Sequence, residues 1–264
     1  MANVLDKIFE RKRLRVAERM RKIPLSKMLK LADSAELRAS FFDALNEGSK
    51  GASAAIIAEL KKASPSLGLI RPDFKVRELA ESLSKTGASA LSVLAEEDFF
   101  LGSIENLNIA SKATAKPLLC KDFIFSEYQI LEAKANGASA VLLIAAMLDK
   151  PRLKELFDFA ESLRLDVLFE THSEVELETA VEVGAKIVGV NSRNLKTLKI
   201  DTELFKSLIS KIPSSAIAVA ESGILTHADL VEAQEVGARA ALVGTTLMSK
   251  NNPAEELKRL LGNL

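Results

Sequence analysis

One cysteine, Cys120, and two histidines, His172 and His227, are all that 264 residues hold of thiol and imidazole chemistry. An internal disulfide is excluded, and neither histidine belongs to a cluster with metal-ligand spacing, so no structural metal is expected. Net charge is lacking as well, because 36 basic residues balance 36 acidic ones. Such a chain has no general attraction to nucleic acid or to an anionic membrane surface. Long apolar runs are missing; the longest, Ala138 to Leu148, is too short to span a bilayer. The N-terminus has no apolar core of a secretory signal, so the expected location is the cytoplasm. No low-complexity stretch or interdomain linker stands out. At 48% hydrophobic residues the chain can bury a sizeable core, and one domain over residues 1–264 is expected.

What is present is a repeat. Short β-rich runs near residues 54–60, 89–94, 117–121, 139–145, 166–170, 186–191, 215–220 and 240–244 alternate with helical patterns such as Phe74 to Lys85, Ser126 to Ala135, Pro151 to Leu163 and Thr226 to Val236. Gly-Ala dipeptides at Gly87, Gly137, Gly184 and Gly237 precede every second run, at steps of about 50 residues. One βα unit takes about 25 residues, so each step holds two units and the whole makes four pairs. Eight near-continuous apolar strands, each followed by a helix, predict a (β/α)8 barrel, the TIM barrel, in a chain close to the typical length of about 250 residues. A doubly wound open sheet is the alternative, but the first strand lacks the glycine-rich dinucleotide fingerprint.

Residues 1–50 precede the repeat and are expected to form an N-terminal helical extension packed on the barrel. Asp6 to Lys22 reads as a basic amphipathic helix, with Arg11, Lys12, Arg13, Arg15, Arg19, Arg21 and Lys22 around an apolar stripe of Leu5, Ile8, Phe9, Leu14 and Val16. Such a helix could touch a membrane. Asp6, Glu10 and Glu18 interrupt its charge, and the expectation is packing on the barrel with the basic residues forming a solvated face.

Most of the runs close on a polar residue. Glu59 and Lys61 alternate at the end of the first, so with period two both follow Ile57 on one face. Lys121, Glu170, Asn191, Glu221 and Ser222 close later runs. In a barrel these ends open on one face, where active sites are built. Ionisable groups of both signs gathered there are costly unless used. Gly223 and Gly244, with Thr245, lie at the last two strand exits, the usual phosphate locus of such barrels. The loop from Lys62 to Pro72 is expected to order over the site as a lid.

The chain resembles the indole-3-glycerol phosphate synthase family over nearly its whole length. The resemblance rests on Ile57-Ala-Glu-Leu-Lys-Lys-Ala-Ser-Pro-Ser66, Leu91-Ser-Val-Leu94, Phe99-Phe-Leu-Gly-Ser103, Lys121-Asp-Phe-Ile124, Glu170, Asn191-Ser-Arg-Asn-Leu195, Ala220-Glu-Ser-Gly-Ile224 and Val243-Gly-Thr-Thr-Leu-Met248. It implies ring closure of a carboxyphenylamino-deoxyribulose phosphate with loss of carbon dioxide and water, without organic cofactor or metal. It implies catalytic roles for Lys121 as general acid, Glu170 as general base and Lys61 in the dehydration, with Glu59, Asn191 and Ser222 as their polar partners. It further implies that Arg193 and Glu221 contact substrate, that Ser64, Gly223, Gly244 and Thr245 hold the phosphate, and that Phe99, Phe123 and Leu195 wall the aromatic ring. The expected partner is a small phosphorylated substrate, bound by a monomer or weak homo-oligomer. Ala95, Cys120 and Thr171 depart from the family pattern and bear on fine substrate contacts rather than on the reaction. Two other readings stay open: a phosphoribosyl isomerase on the same fold, and a catalytically silent barrel that binds a metabolite or partner.

Overall fold

Left-handed residues end four of the helices and set the rhythm of the chain. Gly87, Gly137, Gly184 and Gly237 take φ of +97°, +87°, +94° and +111°, a region open to glycine and strained for other residues. In the computed structural model, which describes residues 4–51, 53–193 and 201–263, each of these turns feeds an even-numbered barrel strand. The strands are β1 (Ala55–Leu60), β2 (Ala90–Leu94), β3 (Leu118–Lys121), β4 (Ala140–Ile144), β5 (Asp166–Thr171), β6 (Ile187–Asn191), β7 (Ile217–Glu221) and β8 (Ala240–Val243). They close into one barrel in which each strand lies beside its sequence neighbour and β8 returns to β1. All eight pairings are parallel. The predicted TIM barrel is therefore the observed fold.

Three helices come before the barrel: α1 (Val4–Lys22), α2 (Leu25–Asp33) and α3 (Phe41–Gly48). The barrel helices are α4 (Val76–Ser84), α5 (Ile104–Ala113), α6 (Glu127–Ala135), α7 (Lys150–Ser162), α8 (Glu174–Val183), α9 (Thr202–Ile209), α10 (His227–Glu235), the single turn α11 (Thr245–Met248) and α12 (Pro253–Leu260). The loop after β1 folds into a small hairpin that pairs Ala63–Ser64 with Gly68–Leu69, and Arg71 anchors its return by donating to the Lys250 carbonyl at 2.7 Å.

Alternation along the strands builds two layers. Ala55, Ile57, Leu119, Leu142, Leu168, Ile187, Val219 and Leu242 fill the barrel interior. The intervening Ile56, Ala58, Leu60, Val93, Val141, Phe169 and Val188 pack outward under the helices. Side chains such as Ile57 and Leu168 are fully buried, and each contributes about 1.5–3 kcal/mol by leaving water.

The extension touches the barrel at both ends. Phe41 and Leu45 of α3 join the interior cluster at the amino ends of the strands, where Phe42 N and Ser40 Oγ donate to Asp166 Oδ2 at 3.0 and 3.1 Å. Leu5 and Ile8 of α1 join the same cluster beside Phe123. Between them α2 lies along α6, with Met28 and Ala32 against Tyr128 and Leu131.

The expectation for α1 holds in part: Arg11, Arg13, Arg21 and Lys22 are exposed, whereas Lys12, Arg15 and Arg19 turn to acidic partners on the barrel. Lys12 is fully buried and bridges Asp122 at 2.6 Å and Glu97 at 2.7 Å. Arg19 pairs with Glu97 and Glu132, and Arg15 with Asp98 at 2.7 Å. Acidic groups after β2 and β3 draw the helix in by its cations. Leu14, assigned to the apolar stripe, is 58% exposed. No helix among the described residues is long and apolar enough to cross a membrane.

Candidate active site

The inward column of each strand runs from apolar residues at the amino end to a polar one at the carboxyl end. In β1 the column is Ala55, Ile57, Glu59 and then Lys61; in β3 it is Leu119 and Lys121; in β5, Leu168 and Glu170. Beyond Ile187 in β6 comes Asn191, and beyond Val219 in β7 comes Glu221. Period-two geometry thus delivers these groups to one cleft, which Glu59, Lys61, Lys121, Glu170, Asn191, Arg193, Glu221 and Ser222 all line.

Inside the cleft the charges are paired. Lys121 Nζ donates to Glu170 Oε2 at 3.0 Å and to Glu221 Oε2 at 2.5 Å. Lys61 Nζ lies 2.8 Å from Glu59 Oε1. Asn191 Nδ2 donates to Glu170 Oε1 at 3.1 Å, and Ser222 Oγ donates to Asn191 Oδ1 at 2.9 Å. Ser222 itself sits at φ +66°, an unfavourable region for a residue with a Cβ and a recurrent feature of functional sites.

Burial and charge work against each other here. Burial alone would discharge the Lys121 ammonium, yet Glu170, Glu221 and Glu59 outweigh it and hold the lysine above its ordinary range. Burial also opposes ionisation of Glu170, but Lys121, His172 and the Asn191 amide keep it a carboxylate, well below the usual range. Glu221 moves the other way: burial, with the Glu170 charge beside it, pushes it up to about 7. Two neighbouring carboxyls are driven apart around one ammonium, the pattern by which one site holds both an acid and a base near neutral pH.

The remaining expected site residues are less uniform. Ser64, Gly223, Gly244 and Thr245 line the cleft on the side of β1, β7 and β8. Among the described residues the N–H groups of Gly223 and Ile224 form no hydrogen bond. Phe123 lines the cleft, whereas its aromatic neighbour there is Phe100, not Phe99; Phe99 is partly buried against the interior cluster. Leu195 lies outside the described residues. Arg193 reaches the cleft, and its backbone N–H donates to Asn191 Oδ1 at 3.0 Å.

Sequence reasoning missed several contributors. Glu96, fully buried, accepts the N–H groups of Asp98, Phe99 and Phe100 at 2.9, 2.7 and 2.9 Å and so shapes the loop that presents Phe100. Val4, Leu5 and Ile8 bring α1 into the cleft wall. A signal for Glu96 existed, since an acidic pair directly after an apolar strand repeats the pattern of the other strand ends. Ala95 and Cys120 pack outward under the helices, Thr171 is buried with its Oγ1 donating to the Gly189 carbonyl at 2.9 Å, and none of the three lines the cleft. Their departure from the family pattern therefore bears on the barrel wall rather than on direct contact in the cleft.

Gly244 offers a test of the Glu59–Lys61 arrangement. A Cβ there would come 2.2 Å from Glu59 Oε1 and 3.0 Å from Lys61 Nζ. These are ends of flexible side chains, so Gly244→Ala is expected to fold while turning both charges away. Misplacing a reacting group by an ångström costs up to about 10²-fold in rate. The expected result is a loss of activity approaching that size with little change in melting temperature. Unchanged activity would show that the two side chains need not stand where they do.

An ammonium among carboxylates at the carboxyl end of eight parallel strands, beside glycine turns at the last two exits, defines an acid–base enzyme of the (β/α)8-barrel class. Solved structures agree on the fold: a tryptophan synthase alpha-subunit variant from Pyrococcus furiosus matches with a TM-score of 0.62 at 14% identity, covering 80% of this chain and 98% of that one. The chain belongs to the indole-3-glycerol phosphate synthase family, whose family model matches residues 5–260. Indole-3-glycerol phosphate synthase of Burkholderia multivorans is 44% identical over 98% of this chain and 99% of its own length. That of Polaromonas sp. is 40% identical over 99% of each.

Proposed function

We propose that the chain converts 1-(o-carboxyphenylamino)-1-deoxyribulose 5-phosphate into indole-3-glycerol phosphate, carbon dioxide and water. The observation that carries this reading is the buried Lys121 ammonium held between Glu170 and Glu221 in a chain matched to the family from end to end. The ring carbon bearing the carboxylate attacks the ketose carbonyl carbon. A carbon–carbon bond forms, the carbonyl electron pair moves to oxygen, and Lys121 protonates that oxygen. Loss of carbon dioxide returns an electron pair to the ring. The hydroxyl then leaves as water with a second proton, and Glu170 takes the proton from the neighbouring carbon to complete the indole double bond.

Lys61, held by Glu59, links the substrate carboxylate to the proton transfers of dehydration. Asn191 and Ser222 orient Glu170 through their chain of hydrogen bonds. Arg193 is suited to the planar carboxylate by its guanidinium fork. Ser64, Gly223, Gly244 and Thr245 take the phosphate, and Phe123 with Phe100 and Leu195 walls the ring. The hairpin loop from Lys62 to Pro72 serves as the lid, in keeping with Ser64, Pro65 and Ser66 at the cleft rim. The scheme calls on no metal or organic cofactor. The same reading makes residues 1–264 one functional unit, a monomer or weak homo-oligomer of the cytoplasm.

The test is direct incubation of the purified chain with the carboxyphenylamino-deoxyribulose phosphate, followed by indole fluorescence. Growth of indole emission supports the reading. Folded protein that leaves the substrate intact, or that turns over only the isomeric phosphoribosyl anilide, would overturn it.

A further inference from the structure

His172 follows β5, two residues beyond Glu170, so strand alternation returns it to the side of the cleft. It does not line the cleft; it stands behind Glu170. Its Nε2 lies 3.4 Å from Glu170 Oε1 and its Nδ1 lies 3.5 Å from Glu176 Oε2. The backbone N–H of His172 donates to the same Glu176 oxygen at 2.7 Å. Both ring nitrogens are buried and neither makes a hydrogen bond among the described residues; the two carboxylates face them at ion-pair distance. A buried imidazole between two carboxylates, with no other use for either nitrogen, needs an explanation.

We propose that His172 is a positioning residue: as an imidazolium clamped by Glu176 it holds Glu170 ionised and turned toward Lys121 and Asn191. The geometry leaves Glu170 with three supports. Lys121 takes Oε2, while Asn191 and His172 share Oε1. Glu176 comes from the first turn of α8, so the helix after β5 fixes the imidazole from behind. A carboxylate–imidazole–carboxylate relay of this form orients and charges its terminal member without touching substrate.

The charged groups around the ring support that state. Burial opposes charging of His172, but Glu176 and Glu170, with Glu221 from β7 beyond them, outweigh it and raise its pKa. Lys121 from β3 is a cation on the cleft side of Glu170, and it is already engaged by Glu170 and Glu221. The sign follows. An imidazolium beside Glu170 favours the carboxylate, so removing it makes Glu170 harder to ionise and moves any step that needs the carboxylate to higher pH.

The first arm of the test needs no turnover. With two histidines in the chain, imidazole nitrogen-15 spectra hold two sets of signals, and His227→Gln assigns them. The His172 midpoint is expected above 6.5, the ordinary histidine value, and to fall by about one unit in Glu170→Gln or Glu176→Gln. A His172 midpoint that stays fixed in both variants overturns the proposal whatever the enzyme's reaction.

The second arm rests on the proposed role of Glu170 as general base. His172→Gln is expected to shift the acid limb of kcat upward by about one unit, which is a tenfold loss on that limb, with recovery at higher pH. A merely structural role would lower the rate at every pH and leave the limb in place. If the nitrogen-15 arm holds and the limb does not move, the clamp stands and the role of Glu170 in the reaction fails.

Discussion

Lys121→Ala is expected to lower the single-turnover rate by about 10²–10⁴, the usual cost of losing a positioned general acid, while substrate affinity changes far less. The acid acts on an oxygen that gains charge in the transition state, so its contribution is withheld from the ground state. In the proposed scheme the phosphate and carboxylate contacts come from other strands, at Ser64, Gly223, Gly244, Thr245 and Arg193. The structure adds a second consequence. With the ammonium gone, the Glu170 and Glu221 carboxyls face each other in a buried site, and like charges so placed do not both stay ionised. The variant should take up a proton near neutral pH, with Glu221 the first recipient because it already stands near 7. Proton uptake by Lys121→Ala relative to the parent can be measured by potentiometric difference titration, beside rapid-quench rates and equilibrium binding. A variant that turns over at the parent's rate, or loses activity through binding alone, would make Lys121 a ligand-holding residue and end its assignment as the acid.

The barrel was legible because its signals are periodic. Four Gly-Ala turns marked every second strand, and all four glycines adopt the left-handed backbone that makes a helix stop there. Apolar runs placed every strand to within two residues, since a strand covered by helices on one side and by the barrel core on the other has no polar face to blur its ends. The loop after β1 was visible from Pro65 and Pro72, although its hairpin was not. Two strands joined over so few residues carry too little pattern to read.

The site was legible for a related reason. A charge at the end of an apolar alternation is a break in pattern, and Glu59, Lys61, Lys121, Glu170, Asn191 and Glu221 are all such breaks. Their mutual pairing was not readable, because Lys121 meets Glu170 and Glu221 across 49 and 100 residues of chain. His172 is not legible for a different reason: histidine spacing speaks to metal ligation, and the neighbours of this ring are carboxylates. In α1 the paired cations Lys12, Arg15 and Arg19 were not legible beside the solvated ones. Charge density along a helix is read as solvation unless the acidic partners are known, and those partners, Glu97, Asp98, Asp122 and Glu132, come from two distant loops and a helix.

Those partners carry the second large effect. Lys12 is fully buried with its ammonium between Asp122 and Glu97, and removing one member of a buried pair costs about 3–5 kcal/mol because the remaining charges lose their compensation. Lys12→Met keeps the apolar stem and deletes the charge. It is expected to lower unfolding free energy by that amount in urea, a shift readable in the transition midpoint. The loss should reach the cleft too, since Asp122 follows Lys121 directly and Glu97 follows Glu96, while Leu5 and Ile8 of the same helix form part of the cleft wall. Substrate binding should therefore weaken while the stable fraction remains folded. Adding Asp122→Asn to Lys12→Met removes one stranded carboxylate and should recover part of the stability, a coupling on the order of 0.5–3 kcal/mol between neighbours of this kind. A Lys12→Met protein within 1 kcal/mol of the parent, or a double variant simply worse by the sum of the two, would mean that Leu5, Ile8 and Val16 with the Arg15 and Arg19 pairs hold α1 without Lys12. The buried cation would then be incidental to how the extension meets the barrel.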